Sequence, residues 1–244
     1  MILKNKNILL TGAGKGIGKA CFYDLIKEGA FVLALVKSKK DYQFLKNTPN
    51  SKIFLGDVRN KNLINKIFKY ASTKKKYITG LVNNAGIRQR KNFINLNSKE
   101  IKEVFEVNFF SIFFIMQNFS KHVLKYKLKG SIVNVGSIVG QAGFSELTGY
   151  ASTKMALTGL TKSFAIEMAK RKIRANIISP GFTKTSYYNE FKKKKSLYKW
   201  TLSKIPMNRW AESFEISNLI IFLLSNKSEF ITGENINIDG GWST

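Results

Sequence analysis

At 244 residues the chain is long enough to bury a sizeable core in one α/β domain. Hydrophobic residues make up 44%, which points to a folded globular protein, and a single cysteine (Cys21) and a single histidine (His122) exclude an internal disulfide and any metal centre built on Cys or repeated His. Lys and Arg total 41 against 15 acids, a net charge of +26 that means either an acidic partner or a background of lysine spread along the chain, and the spread favours the background.

Met1-Ile2-Leu3-Lys4 runs almost directly into the apolar Ile8-Leu9-Leu10, leaving no room for a signal peptide. No apolar stretch reaches the ~18 residues of a membrane span, so a cytoplasmic protein is expected. No recognition motif supports specific nucleic-acid binding, and no metal site is expected.

Lys6 to Thr11 reads as a short buried strand ending at Thr11-Gly12-Ala13-Gly14-Lys15-Gly16-Ile17-Gly18, with a helix from Lys19 to Glu28. Strand, glycine loop and helix together offer backbone N–H groups to a phosphate, with Gly12, Gly16 and Gly18 the glycines expected to matter. Ala30 to Val36 is a second strand. Beyond it stand Lys37 and Ser38, with Lys15 in the loop; cations without an acid suit a 2′-phosphate, so NADP(H) is expected over NAD(H). Lys52 to Gly56 is a third strand, followed by Asp57 and Val58. Asp57 either meets an adenine edge or caps the next helix. Gly80 to Asn83 is a fourth strand, entering Asn83-Asn84-Ala85-Gly86. Strands alternating with helices predict a parallel sheet covered on both faces: a Rossmann-type, doubly wound α/β domain of about seven strands.

Asn97-Ser98-Lys99-Glu100 is a capping-box pattern opening a helix that runs through Asn108 to about Lys127, with room for a break. A polar Asn108 in so apolar a segment needs partners. His122 reads as a solvated helix residue. Gly130 to Val135 is a fifth strand with Gly136-Ser137 just beyond its carboxyl end, where open α/β sheets bind ligands. Tyr150 and Lys154 follow four residues apart at the head of a helix running to about Arg171. That spacing sets them side by side on one face, and a neighbouring ammonium lowers a phenol's pKa, fitting Tyr150 to move a proton. Arg174 to Ser179 is a sixth strand ending at Pro180-Gly181. Residues 182–204 are basic and aromatic and read as an irregular substrate lid. Glu212 to Leu224 is a helix, and Gly233 to Asp239 a last strand. No linker, repeat or second domain is evident.

Taken together, Thr11-Gly12-x-x-x-Gly16-Ile17-Gly18, Asp57, Asn83-Asn84-Ala85-Gly86, Asn108, Ser137, Tyr150-x-x-x-Lys154 and Pro180-Gly181 resemble the short-chain dehydrogenase/reductase family along essentially the whole chain. The resemblance implies hydride transfer between NADP(H), or NAD(H) as the alternative, and a carbonyl carbon. Tyr150 would be the acid/base, Ser137 would hold the carbonyl oxygen, Lys154 would lower the Tyr150 pKa and bind the nicotinamide ribose, and Asn108 would hold a relay water. Gly12, Lys15, Gly16, Ile17, Lys37, Ser38, Asp57, Val58, Asn84, Ala85, Gly86, Tyr150, Lys154, Pro180, Gly181, Thr183 and Thr185 would line the cofactor. Arg88 would join Ser137 and Tyr150 at the substrate.

Two subgroups compete for the substrate. The Phe230-Ile231-Thr232-Gly233-Glu234 pattern, and Arg171 at a carrier-docking position, resemble 3-oxoacyl-carrier-protein reductases, although Leu128 stands at the partner Arg position. Residues 84–91, Arg209-Trp210 and Asp239-Gly240-Gly241-Trp242 resemble sugar-acid and polyol dehydrogenases. In that group Arg88 and Arg90 would meet a carboxylate, or else be solvated loop charges. The family also implies a homotetramer, with Phe109, Phe110, Phe113 and Phe114 either at the interface or in the core. An NADP(H)-binding regulator without turnover is the non-enzymatic alternative; the intact Asn108, Ser137, Tyr150 and Lys154 argue against it.

Overall fold

Short runs of Val, Ile and Leu suit a sheet buried on both faces, and seven of them pair here. The computed structural model describes all 244 residues, Met1 to Thr244. In chain order the elements are β1 (Asn7–Thr11), α1 (Gly16–Lys27), β2 (Phe31–Val36), α2 (Lys39–Leu45), β3 (Ser51–Leu55), α3 (Lys61–Thr73) and β4 (Gly80–Asn83). Then come α4 (Ser98–Phe105), α5 (Ser111–Lys125), β5 (Gly130–Val135), α6 (Val139–Ala142), α7 (Thr148–Met168) and β6 (Ile173–Pro180). Two short helices, α8 (Tyr188–Lys193) and α9 (Lys195–Lys204), precede α10 (Ser213–Leu224) and β7 (Asn235–Ile238).

The strands form one parallel seven-stranded sheet in the order β3-β2-β1-β4-β5-β6-β7. The order reverses between β1 and β4, which opens a crevice at their carboxyl ends. Side chains alternate across the sheet: Ile8 and Leu10 of β1 enter one core layer with α1 and α10, while Leu9 enters the other with α3 and α5. Both layers share one sheet, so the chain forms a single α/β domain. No helix is long and apolar enough to cross a membrane.

Two expectations need correction, and the break allowed for in the helix through Asn108 is present. His122 is buried, with 5% of its surface exposed, and its Nε2 accepts the Ile78 N–H at 3.0 Å. A neutral ring is required there, and burial lowers its pKa to about 4. The stretch 182–204 is not irregular, because α8 and α9 fold over Phe191, Ile205 and Trp210, a small apolar cluster separate from the sheet. The helix through Asn108 is interrupted by a π-helical turn, Glu106–Phe110, between α4 and α5. The predicted capping box at Asn97 and Glu100 is present.

Candidate active site

The glycine loop owes its shape to close approach. Gly12 has φ 71°, and a Cβ there would lie 2.8 Å from the Ala85 Cα. Thr11 ties the loop to the end of β4: its hydroxyl accepts the N–H groups of Asn84 and Ala85, each at 3.1 Å. The Asn84 amide donates to the carbonyls of Thr11 and Gly12 at 3.1 and 3.0 Å. Asn83 serves the interior instead, donating to Asn134 at 2.8 Å.

Helix α1 begins at Gly16 with no side-chain cap and no acid in its first turn, whereas α2, α3 and α4 are capped by Ser38, Asn60 and Asn97. Its first N–H groups therefore face the crevice, as a pyrophosphate requires. That uncapped terminus beside a glycine cradle fits a dinucleotide cofactor.

The cradle forms one end of a cavity of about 560 Å³. Ser137, Tyr150 and Lys154 line the same cavity, together with Gly12, Lys15, Gly16, Ile17, Asn84, Ala85, Gly86, Arg88, Pro180, Gly181, Thr183 and Thr185. Asn108 stands behind it. It is fully buried and bridges Ile87, accepting its N–H and donating to its carbonyl at 2.9 Å each, and it also donates to Thr153 at 3.2 Å. The π-helical turn sets this side chain inward, which answers the expectation that a polar group there needs partners.

Lys154 is 5% exposed and donates to the Val135 carbonyl at 2.7 Å. Burial lowers its pKa to about 8. Burial also holds the Tyr150 phenol above its ordinary value; the downward pull comes from the Ser137 hydroxyl and the Arg88 charge. The sequence predicts that pull from Lys154. Its ammonium is instead held by Val135, 5.6 Å from the Tyr150 ring centre.

Of the residues expected toward the cofactor's adenosine, Lys37, Ser38, Asp57 and Val58 lie outside this cavity. Val58 packs in the core. Asp57 neither caps α3, which Asn60 does, nor stands free: it pairs with Arg59 at 2.8 Å and Lys37 at 2.9 Å. Those contacts, led by the Arg59 hydrogen bond, hold its carboxyl well below the usual range. Ser38 caps α2, and the Asp41 carboxylate lies against Gly14. Acids are therefore close to the expected cations because β2 and β3 are neighbours, and only Lys15 keeps an unpaired charge.

Sequence reasoning also missed the apolar wall formed by Phe144, Leu147, Phe182, Tyr187 and Trp210. The aromatic content of 182–210 was its one visible signal. Of the two loop arginines, Arg90 pairs with Glu146 at 2.7 Å, while Arg88 meets no carboxylate and stacks over the Tyr187 ring at 5.4 Å.

A family model described as Enoyl-(Acyl carrier protein) reductase matches residues 12–243. The chain is 35% identical to the 3-oxoacyl-(acyl-carrier-protein) reductase of Buchnera aphidicola subsp. Schizaphis graminum, over 99% of this chain and 98% of that protein. The chain belongs to the short-chain dehydrogenase/reductase family. Within this family of oxidoreductases, the solved structure of 4-hydroxyisoleucine dehydrogenase complexed with NADH is similar with a TM-score of 0.92 and 33% identity, covering 98% of each chain. A protein of Agrobacterium tumefaciens provisionally assigned as a 2-deoxy-D-gluconate 3-dehydrogenase, with bound NADP, gives a TM-score of 0.88 and 29% identity, covering 98% of this chain and 97% of that one. The family binds nicotinamide cofactors, and both kinds occur in these neighbours.

Proposed function

We propose that this short-chain dehydrogenase/reductase is an NADP(H)-dependent enzyme that interconverts a carbonyl and a secondary alcohol, with a 3-oxoacyl group on acyl carrier protein as substrate. The observation that carries the chemistry is the meeting of Ser137, Tyr150 and Lys154 with the glycine cradle in one cavity. Gly12, Gly16, Ile17, Asn84, Ala85, Gly86, Pro180, Gly181, Thr183 and Thr185 would hold the cofactor, with Lys15, Lys37, Ser38, Asp57 and Val58 toward its adenosine. The bound cofactor supplies hydride. Ser137 donates a hydrogen bond to the carbonyl oxygen and stabilises the charge that grows there. Tyr150, kept protonated by burial, gives its proton to that oxygen. Lys154 exchanges protons near neutrality and restores Tyr150. Asn108 fixes the Ile87 backbone beside it and would hold a relay water.

The apolar wall and the 35% identical carrier-protein reductase support an acyl substrate. The segment 182–204 would be the lid over it, and exposed Arg171 would help dock the acidic carrier. Phe110 and Phe113 stand 52% and 43% exposed on consecutive turns, which supports a homotetramer with this face across subunits. The unpaired Arg88 favours a second substrate, a keto sugar acid whose carboxylate it would bind.

The deciding experiment follows NADPH oxidation with an acetoacetyl-carrier thioester beside keto sugar acids. Turnover of the thioester alone supports the acyl reading, and turnover of a sugar acid alone moves the enzyme to the second. NADPH binding with no turnover of any carbonyl would leave a regulator. Lys37→Asp is expected to move preference toward NADH only a few-fold, since exposed charges interact weakly; an unchanged ratio removes Lys37 from phosphate recognition.

A further inference from the structure

The edge of the sheet opposite the active site gathers charge in a regular way. Lys6, Thr79, Lys129 and Lys172 are the residues immediately before β1, β4, β5 and β6. These four strands are contiguous in the sheet, so their starts converge. They open onto a cleft of about 310 Å³, near the lower end of the range for small-ligand sites. Arg174 lines it as well, so four cations face one carboxylate, Glu229.

Each group's partners show what is left over. Arg174 is used structurally: it donates to the carbonyls of Leu223 at 2.8 Å, Ser225 at 3.3 Å and Ile231 at 2.9 Å, satisfying the end of α10. Helix carboxyl ends attract cations, which accounts for Arg174. It does not account for the lysines. Lys6 donates to the Asn226 side chain at 2.8 Å, Lys129 pairs loosely with Glu229 at 3.4 Å, and Lys172 has no partner. Thr79 also lines the cleft, but its hydroxyl is closed off from solvent and is turned away from the open space. Burial chiefly lowers the Lys6 pKa; the Arg174 and Lys129 charges add to this and Glu229 opposes it.

We propose that this cleft binds a phosphate group, either as the free ion or as the phosphomonoester end of a small metabolite, between Lys6, Lys129 and Lys172. A tetrahedral dianion offers acceptors in several directions at once, which donors arriving from three separate strands match better than a planar carboxylate does. The site is remote from Tyr150 and stands whatever the enzyme's substrate.

The test uses the full chain saturated with NADP, so that phosphate-binding groups on the catalytic edge are already filled. Inorganic phosphate and glycerol phosphate are titrated against chloride of equal ionic strength, with thermal unfolding and direct binding as readouts. Both anions are expected to raise the unfolding temperature. The tighter of the two identifies the source, free ion or phosphomonoester. Lys172→Gln should weaken binding about tenfold or more, the loss of one charge-assisted contact. Lys6→Gln should weaken it too. Lys193→Gln, the same charge change on α8, should leave it unaltered. Arg174 is not the residue to change, because it holds three carbonyls in place. Phosphate stabilisation that survives both cleft substitutions, falls equally in Lys193→Gln, or never exceeds that of chloride would overturn the proposal.

Discussion

The two walls of the main cavity are built in opposite ways. On the sheet side Lys154 is buried and anchored to Val135, Asn108 has its side chain engaged by Ile87 and Thr153, and Tyr150 stands on the first turn of the 21-residue α7. On the other side α8 and α9 are short helices that rest on a three-residue buried cluster, and Lys192 to Lys195 point to solvent. On the proposed mechanism, the groups that would hold a proton at a fixed point sit on the rigid scaffold, and those that would meet the variable part of a substrate sit on a small unit packed apart from the sheet.

The largest expected effect is on the rigid wall. Tyr150→Phe should lower turnover about 100- to 10,000-fold, the usual contribution of a general acid, with NADPH binding nearly unchanged. Comparable turnover would remove Tyr150 from the mechanism. Lys154 gives the next effect. Its folded pKa of about 8 lies below its ordinary 10.5, so the unfolded chain binds more protons between those values. Stability owed to this group therefore rises with pH from about 8 to 10.5, whereas reduction should fall as the folded enzyme loses its ammonium around pH 8. Lys154→Met should be inactive yet flatten that rise, roughly 3 kcal/mol at most. An unaltered stability profile would show that the charge is not buried in solution.

The wall carried by residues 182–204 should respond differently. Trp210 is 3% exposed and its indole N–H donates to Thr201 at 2.9 Å, so it pins α9 to the cluster. Trp210→Ala should raise KM about tenfold or more by loosening this segment, while global unfolding shifts little, because the segment rests on a small cluster apart from the sheet. An equal loss in kcat, or a large drop in the unfolding midpoint, would mean that the two walls fold as one.

Legibility in the sequence followed the same division. The strands, the glycine loop, Ser137, Tyr150 and Lys154 rest on local patterns whose spacing is set by strand and helix geometry. What the sequence hid depends on which elements become neighbours. Nothing local says that His122 will meet the Ile78 N–H, or that Asp57 at the end of β3 will reach Lys37 at the end of β2. The helices within 182–204 were hidden because their lysines mask the few buried positions, Phe191 and Thr201 among them, that make them amphipathic. Arg88 and Arg90 looked alike until Glu146, far along the chain, claimed one of them.

Arg88 connects the two walls, and its substitution is expected to have the smallest effect. Its guanidinium stacks on Tyr187 and its charge pulls the Tyr150 pKa down, against the larger upward effect of burial. Arg88→Gln should therefore do two separable things. KM for an anionic substrate should rise up to about tenfold, the worth of one charge-assisted contact, while a neutral ketone is unaffected. The alkaline limit set by Tyr150 should move to higher pH with either substrate, because removing a nearby cation disfavours the phenolate. A change in KM alone would make Arg88 a substrate anchor only. A change in the pH profile alone would make it part of the acid's environment, and the sugar-acid reading would lose the observation that favours it.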